Sequence, residues 1–263
     1  MKRAIGRHVF VVDLRATMGD DGLDAFAAKC ARARFNSVWV RVGRGAALDR
    51  NFSIPGAADI AKAFRAAGVE LWGWHVPFCA RAAAARTESD NVWNWAFEFG
   101  LDGIVVDAEA TPENPRFQGG AAQARAYMQP LSAALASAGK GLALSSHDQP
   151  PLHSDLPFDE FSRWVFDVCP QVYHRGHDVE TRLARSIAGF APLETGRDFA
   201  DRYKPTGNIS TRGDVRVGDA KECLAAAGQF IGLAKANGFA GYGFWCLDDA
   251  PGAIWDFLAK TPA

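Results

Sequence analysis

The sequence predicts an α/β protein, a (β/α)₈ or TIM barrel forming a single domain over residues 1–263, and three observations predict it. Short apolar runs alternate with Ala-rich amphipathic segments about every 30 residues, the pattern of iterated βα units and a parallel sheet. Several runs are apolar throughout, as strands covered on both faces are. The length, 263 residues, is close to the roughly 250 typical of such barrels.

The expected strands cover residues 8–14, 37–42, 70–76, 103–109, 141–146, 165–173 and 241–247, with helical patterns at 22–34, 57–67, 91–99, 121–138, 179–190 and 220–237. Many helices stop at a glycine before the next strand, as at Gly68, Gly100, Gly139 and Gly238. Glycine takes the left-handed conformation that ends a helix at little cost. An eighth strand is needed between Tyr173 and Gly241, and "YKPTGNI" (residues 203–209) is the best candidate. It is weak, since Pro205 removes a ladder donor and Gly207 has no side chain to pack. An open doubly wound sheet is disfavoured because no Gly-x-Gly-x-x-Gly turn follows the first strand.

Composition narrows function. Hydrophobic residues make up 48%, charged residues 22%, and the net charge is −1 with no block of Lys or Arg. That leaves no electrostatic footprint for nucleic acid or an anionic membrane surface. No apolar stretch approaches the 18 residues of a membrane span. The amino-terminal apolar run is too short and wrongly flanked for a signal peptide. Synthesis in the cytoplasm, with any action at the cell envelope reached by another route, is therefore the expectation. Five cysteines without Cys-x-x-Cys spacing read as buried thiols of a reducing compartment rather than a zinc site or disulfide framework. No cofactor and no metal are expected.

The functional face of such a barrel is the carboxyl end of its strands, and polar residues gather there. The first strand ends in Asp13, the second in Arg41, the third in His75, the fourth in Asp107 and Glu109, the sixth in Gln171 and Tyr173, and the eighth in Trp245. Asp107 and Glu109 follow "GIVV" and are two apart, so they point to one side at roughly 6.6 Å Cα spacing. Two acids so close do not ionise independently; one carboxyl is pushed up and becomes an acid near neutrality. Glycoside hydrolysis needs such a polarised pair. The plainer alternative is that both are solvated or cap a helix. Eight Trp, several near strand ends, suit stacking on sugar or ordinary packing. Asp248 and Asp249 read as caps of the last helix. His147 and Asp148 with the two acids raise a metal-dependent hydrolase as a third option.

"DGIVVDAEA" resembles the Asp-Gly-x-x-x-Asp-x-Glu core of glycoside hydrolase family 18, the chitinase-like barrels, through Asp102, Gly103, Asp107 and Glu109. That family's further Asp is Val105 here. "PQVY" (residues 170–173) and "GFWCLDD" look like its sixth- and eighth-strand segments. The first half also resembles the family 25 lysozymes: Asp13, "SVWVRVG", "LDRNF", "FRAAGVELWGWHVPF" and "VVDAEA", over roughly residues 9–173, with Trp74 where that family has Tyr. Both resemblances imply hydrolysis of a β-linked N-acetylhexosamine polymer, with peptidoglycan ahead of chitin. Glu109 would be the general acid, with Asp107 orienting the N-acetyl group. Tyr173 would bind the acetamido group, Trp245 would stack beneath the ring, and Asp13 would support the carboxylate cluster. Arg41, His75 and Gln171 complete the expected substrate contacts, Arg41 by pairing with Asp13 or Asp107. The competing class is a catalytically silent barrel that binds glycan or serves in a phage tail or envelope assembly.

Overall fold

Continuous apolar runs become the staves of a closed barrel. The computed structural model describes residues 2–110, 116–174, 178–194, 198–213 and 215–262. Its strands are β1 (Gly6–Val11), β2 (Ser37–Arg44), β3 (Ala47–Leu48), β4 (Glu70–Val76), β5 (Gly103–Ala108), β6 (Gly141–His147), β7 (Asp167–Gln171), β8 (Thr206–Asn208) and β9 (Gly241–Trp245). Eight are parallel and close in the order β1-β2-β4-β5-β6-β7-β8-β9, with β9 returning to β1. The short β3 folds back antiparallel on β2.

Around the staves lie α1 (Leu14–Met18), α2 (Leu23–Arg32), α3 (Ala57–Ala66), α4 (Ala82–Glu98), α5 (Ala121–Ser137), α6 (Phe158–Trp164), α7 (Val179–Phe190), α8 (Phe199–Arg202), α9 (Ala220–Ala236) and α10 (Ile254–Lys260). The expected barrel is the observed one. Two boundaries differ instructively. Helix α4 starts nine residues before the expected 91, because "AAAARTESD" has high helical propensity without an apolar stripe. The expected cap role of Asp248 and Asp249 is corrected: α10 begins at Ile254 behind Ala253, and both acids lie in a separate helical turn, Leu247–Asp249.

Strand alternation sorts side chains into two cores. Outward residues such as Val9, Val38, Leu71, Ile104, Leu142 and Val168 pack under the helices. Inward ones, Phe10, Trp39, Trp72, Trp74, Val105, Ala143 and Cys169, fill the barrel itself. Trp39 stacks on His8 at 3.9 Å between ring centroids and lies 5.9 Å from Trp72. The Trp72 ring claims the space beside Gly103 and Gly141, where an added Cβ would lie 2.5 and 2.2 Å from it.

The amino-terminal segment seals the far end. Lys2 pairs with Glu70 and Asp102, and Arg3 with Asp167 and Asp201. Asp102 also accepts the Leu71 amide at 3.0 Å. The "DG" of the family-like motif is thus structural here: Asp102 ties the barrel base and Gly103 admits Trp72.

Candidate active site

Strand β5 carries Val105 and Asp107 on its inner face, and Glu109 continues that parity one residue past the strand. Asp107 is 1% exposed, while the Glu109 side chain is 17% exposed. Burial forbids an unpartnered carboxylate, and neighbouring strands supply the partners. Strand β7 ends at Gln171, whose Nε2 donates to Asp107 Oδ1 at 2.8 Å and to Glu109 Oε1 at 2.6 Å. Ser145 lies beside Asp107 in the β5–β6 register, with its Oγ 3.4 Å from the same Nε2. From the loop before α5, Arg116 Nη1 reaches Glu109 Oε2 at 3.0 Å and Asp107 Oδ2 at 3.6 Å.

Burial first, then the neighbouring Glu109 charge, pushes the Asp107 carboxyl up from 3.8 to about 8; Arg116, Ser145 and Gln171 hold it back. The pair thus keeps one proton through neutral pH, as two crowded acids must. Tyr173, two residues beyond β7, has its hydroxyl pushed well up by burial and by the charges of Asp107 and Glu109. Its ring is 5.9 Å from that of Trp245, which also touches Phe10 and Trp74 at 5.5 and 5.8 Å. Trp245 is half-buried at the mouth, and its peptide bond to Cys246 is cis. A cavity of about 350 Å³ lined by Tyr173, His174, Asp178, Arg182 and Val215 adjoins this side. A larger one, about 620 Å³, lies over α1 and the start of α3 and contains neither acid.

Asp107, Glu109, Gln171, Tyr173 and Trp245 therefore converge, whereas three expected residues do not join them. His75 is fully buried and faces outward: Tyr127 donates to its Nδ1 at 2.8 Å, and its Nε2 donates to the Gly45 carbonyl at 2.8 Å. Burial lowers its pKa to about 4. Substrate contact by His75 is corrected to a structural link between β4 and α5, because alternation gives the inner face to Trp74 and Val76. Arg41 pairs with Asp49 at 2.5 Å, instead of with Asp13 or Asp107, and lies over the Trp74 ring. Asp13 caps α1 through the Ala16 amide and pairs with Arg50 at 2.5 Å. Its expected link to the carboxylate cluster is replaced by Asp248, which accepts the Val12 and Asp13 amides at 2.8 and 2.7 Å.

Asp148 is held by Arg182, away from the two acids, whereas His147 stacks on His153 at 3.7 Å and lies beside Glu109, its Nε2 3.2 Å from the Ala110 carbonyl and its ring within reach of the Glu109 charge. Among the described residues no cluster of three or more His, Cys, Asp or Glu side chains has the spacing of a metal site. The five cysteines are buried free thiols. Arg116 is not among the expected residues, and Ser145 belongs to "SSHD" (residues 145–148), a segment that suggests a nucleophilic serine but lacks the Gly-x-Ser-x-Gly setting for one. Strand parity, counted back from Gln171 through the β6 register, identifies Ser145; nothing periodic marks Arg116, which sits in a polar loop.

No protein-family model matches the sequence, and no curated protein matches it. Solved structures do. The chain superposes on a chitinase from Rhizomucor miehei with TM-score 0.68 at 12% identity, over 97% of this chain and 99% of that one. A family 18 chitinase from Cycas revoluta in complex with (GlcNAc)4 gives 0.65 at 13% over 96% and 98%. The spore cortex-lytic enzyme SleL of Bacillus cereus gives 0.64 at 10%, over 98% of this chain and 74% of that chain. At such identities the likeness is one of fold: this chain is built on the same (β/α)₈ barrel as the glycoside hydrolase family 18 chitinases.

Proposed function

We propose that the protein is a glycoside hydrolase acting on a β-linked N-acetylhexosamine polymer, with peptidoglycan preferred over chitin. The observation that carries this reading is the bridging of Asp107 and Glu109 by one Gln171 amide at a mouth flanked by Tyr173 and Trp245. A polarised pair of acids beside an aromatic floor is what protonating a glycosidic oxygen demands. The fold neighbours include chitinases and a spore cortex-lytic enzyme, which supports the same substrate class.

In this reading Glu109 donates its proton to the leaving glycosidic oxygen. The acetamido carbonyl oxygen of the substrate attacks the anomeric carbon as that C–O bond breaks, and the bond's electron pair leaves on the protonated oxygen. Asp107 orients the acetamido group and supports the charge that develops on it. Water then opens the cyclic intermediate and returns the proton to Glu109, so configuration is retained. Tyr173 hydrogen-bonds the acetamido oxygen, and Trp245 carries the apolar face of the sugar.

The test is incubation with purified peptidoglycan and with chitin oligomers, followed by mass analysis of soluble fragments. The expected products are reducing-end N-acetylhexosamine oligosaccharides. Binding of both polymers without any product after prolonged incubation contradicts the reading and favours a silent glycan-binding or structural barrel, which Val105 in place of an acid motivates.

A further inference from the structure

General acid catalysis requires the Glu109 carboxyl to meet a glycosidic oxygen, yet Arg116 Nη1 sits 3.0 Å from its Oε2. The guanidinium therefore occupies space that the scissile bond needs. Gln171 makes no comparable obstruction, since it approaches through the other oxygen, Oε1, from inside the barrel. Arg116 is also differently placed from the other arginines around the mouth. Arg41 and Arg182 are committed to Asp49 and Asp148, whereas Arg116 pairs with the two acids of the reaction themselves.

Its pairing uses one corner of the group. Among the described residues the ion pairs of Arg116 run through Nη1, and Nε with Nη2 forms the other edge of the guanidinium, with parallel N–H donors. That edge matches a carboxylate in a two-pronged arrangement stronger than a single-point contact. The side chain is 31% exposed, so an incoming anion reaches it without unfolding anything. A neutral sugar has nothing to exchange for the Glu109 contact; a carboxylate on the sugar beside the cleaved bond does.

We infer that Arg116 is a specificity-determining residue that reads a carboxylate on the substrate, adjacent to the scissile bond, and in binding it moves off Glu109. This rests on the glycosidase reading above and sharpens it: the preferred polymer is an N-acetylated amino-sugar chain bearing carboxylates, and uncharged chitin is the poorer substrate. The exchange conserves ion pairs, with guanidinium–Glu109 replaced by guanidinium–substrate. The Glu109 carboxyl is then free to take the proton held by the acid pair and pass it on.

The experiment compares kcat/KM on muramyl glycan strands stripped of stem peptides, whose lactyl carboxylates are free, with the same strands after amidation of those carboxylates. The wild-type protein is expected to favour the charged strands by about 10- to 100-fold, the size of one hydrogen-bonded charge pair. In Arg116→Ala that ratio is expected to collapse toward one, and Arg116→Lys, which keeps the charge but not the fork, to fall between. A wild-type ratio near one, or a ratio unchanged in Arg116→Ala, overturns the inference. Because the substrate comparison is made within wild-type protein, it does not depend on a variant folding. Cleavage of chitin oligomers with neither strand form cut overturns the arginine's role and leaves a glycosidase; no cleavage of any of the three removes the glycosidase reading, and this inference with it.

Discussion

Asp107 shows how much chemistry one position on a strand can set. Alternation on β5 turns it inward, the closed barrel strips it of water, and Glu109 beside it raises its carboxyl to about 8. A carboxyl raised in the folded state favours folding while it is protonated; that contribution is complete below the ordinary 3.8 and disappears as pH climbs through about 8. Thermal unfolding followed from mildly acidic to mildly alkaline buffer should therefore show the midpoint of the wild-type protein dropping, with a flatter profile for Asp107→Asn. Equal slopes for the two proteins would mean that Asp107 titrates like a surface acid. The pair was legible from spacing and strand context alone. Its partners were legible unevenly: Gln171 followed from its strand end, Ser145 required counting register, and Arg116 reaches the acids from a loop that no periodic rule describes.

Elements were easiest to read where they repeat and hardest where packing overrides propensity. Four helices stop on glycines with positive φ, at Gly68, Gly100, Gly139 and Gly238, so that grammar was in the chain. His75 misled because the strand-end rule says which end of a stave matters, and parity, interrupted on neighbouring β2 by a register shift between Arg41 and Gly43, says which face. Strand β8 is the weakest stave, three residues long and bonded to β7 through Gln171 and Thr206. Gly207 looked like a defect from sequence; it is where the Phe230 ring of α9 lies on the strand, and an added Cβ would sit 2.8 Å from it. Gly207→Ala is accordingly expected to destabilise the protein by about 1–3 kcal/mol through overpacking, read as a lower denaturant midpoint. A neutral outcome would show that Phe230 repacks freely.

The whole molecule converts these local rules into a site. A salt-bridged amino-terminal segment and interior tryptophans occupy the base of the barrel, and closure brings Asp107 and Glu109 of β5 against Gln171 of β7. Fold class was readable because seven apolar runs, several of them apolar throughout and spaced by helical segments, leave few other ways to bury themselves. Site geometry was less readable because it depends on which pairs of staves become neighbours and on loops that answer to charge. Asp13 and Arg41 illustrate this: both stand at strand ends, and each is satisfied by a partner, Arg50 or Asp49, that lies in the β3–α3 connection.

The role of Glu109 is tested by the turnover of Glu109→Gln on an N-acetylated oligosaccharide that the wild-type protein cleaves, measured beside its binding affinity for the same ligand. Loss of the general acid should lower kcat by about 10²–10⁴ while binding persists. Turnover equal to wild type, with Gln at this position, would contradict the assignment of Glu109 as the proton donor and the enzymatic account built on it.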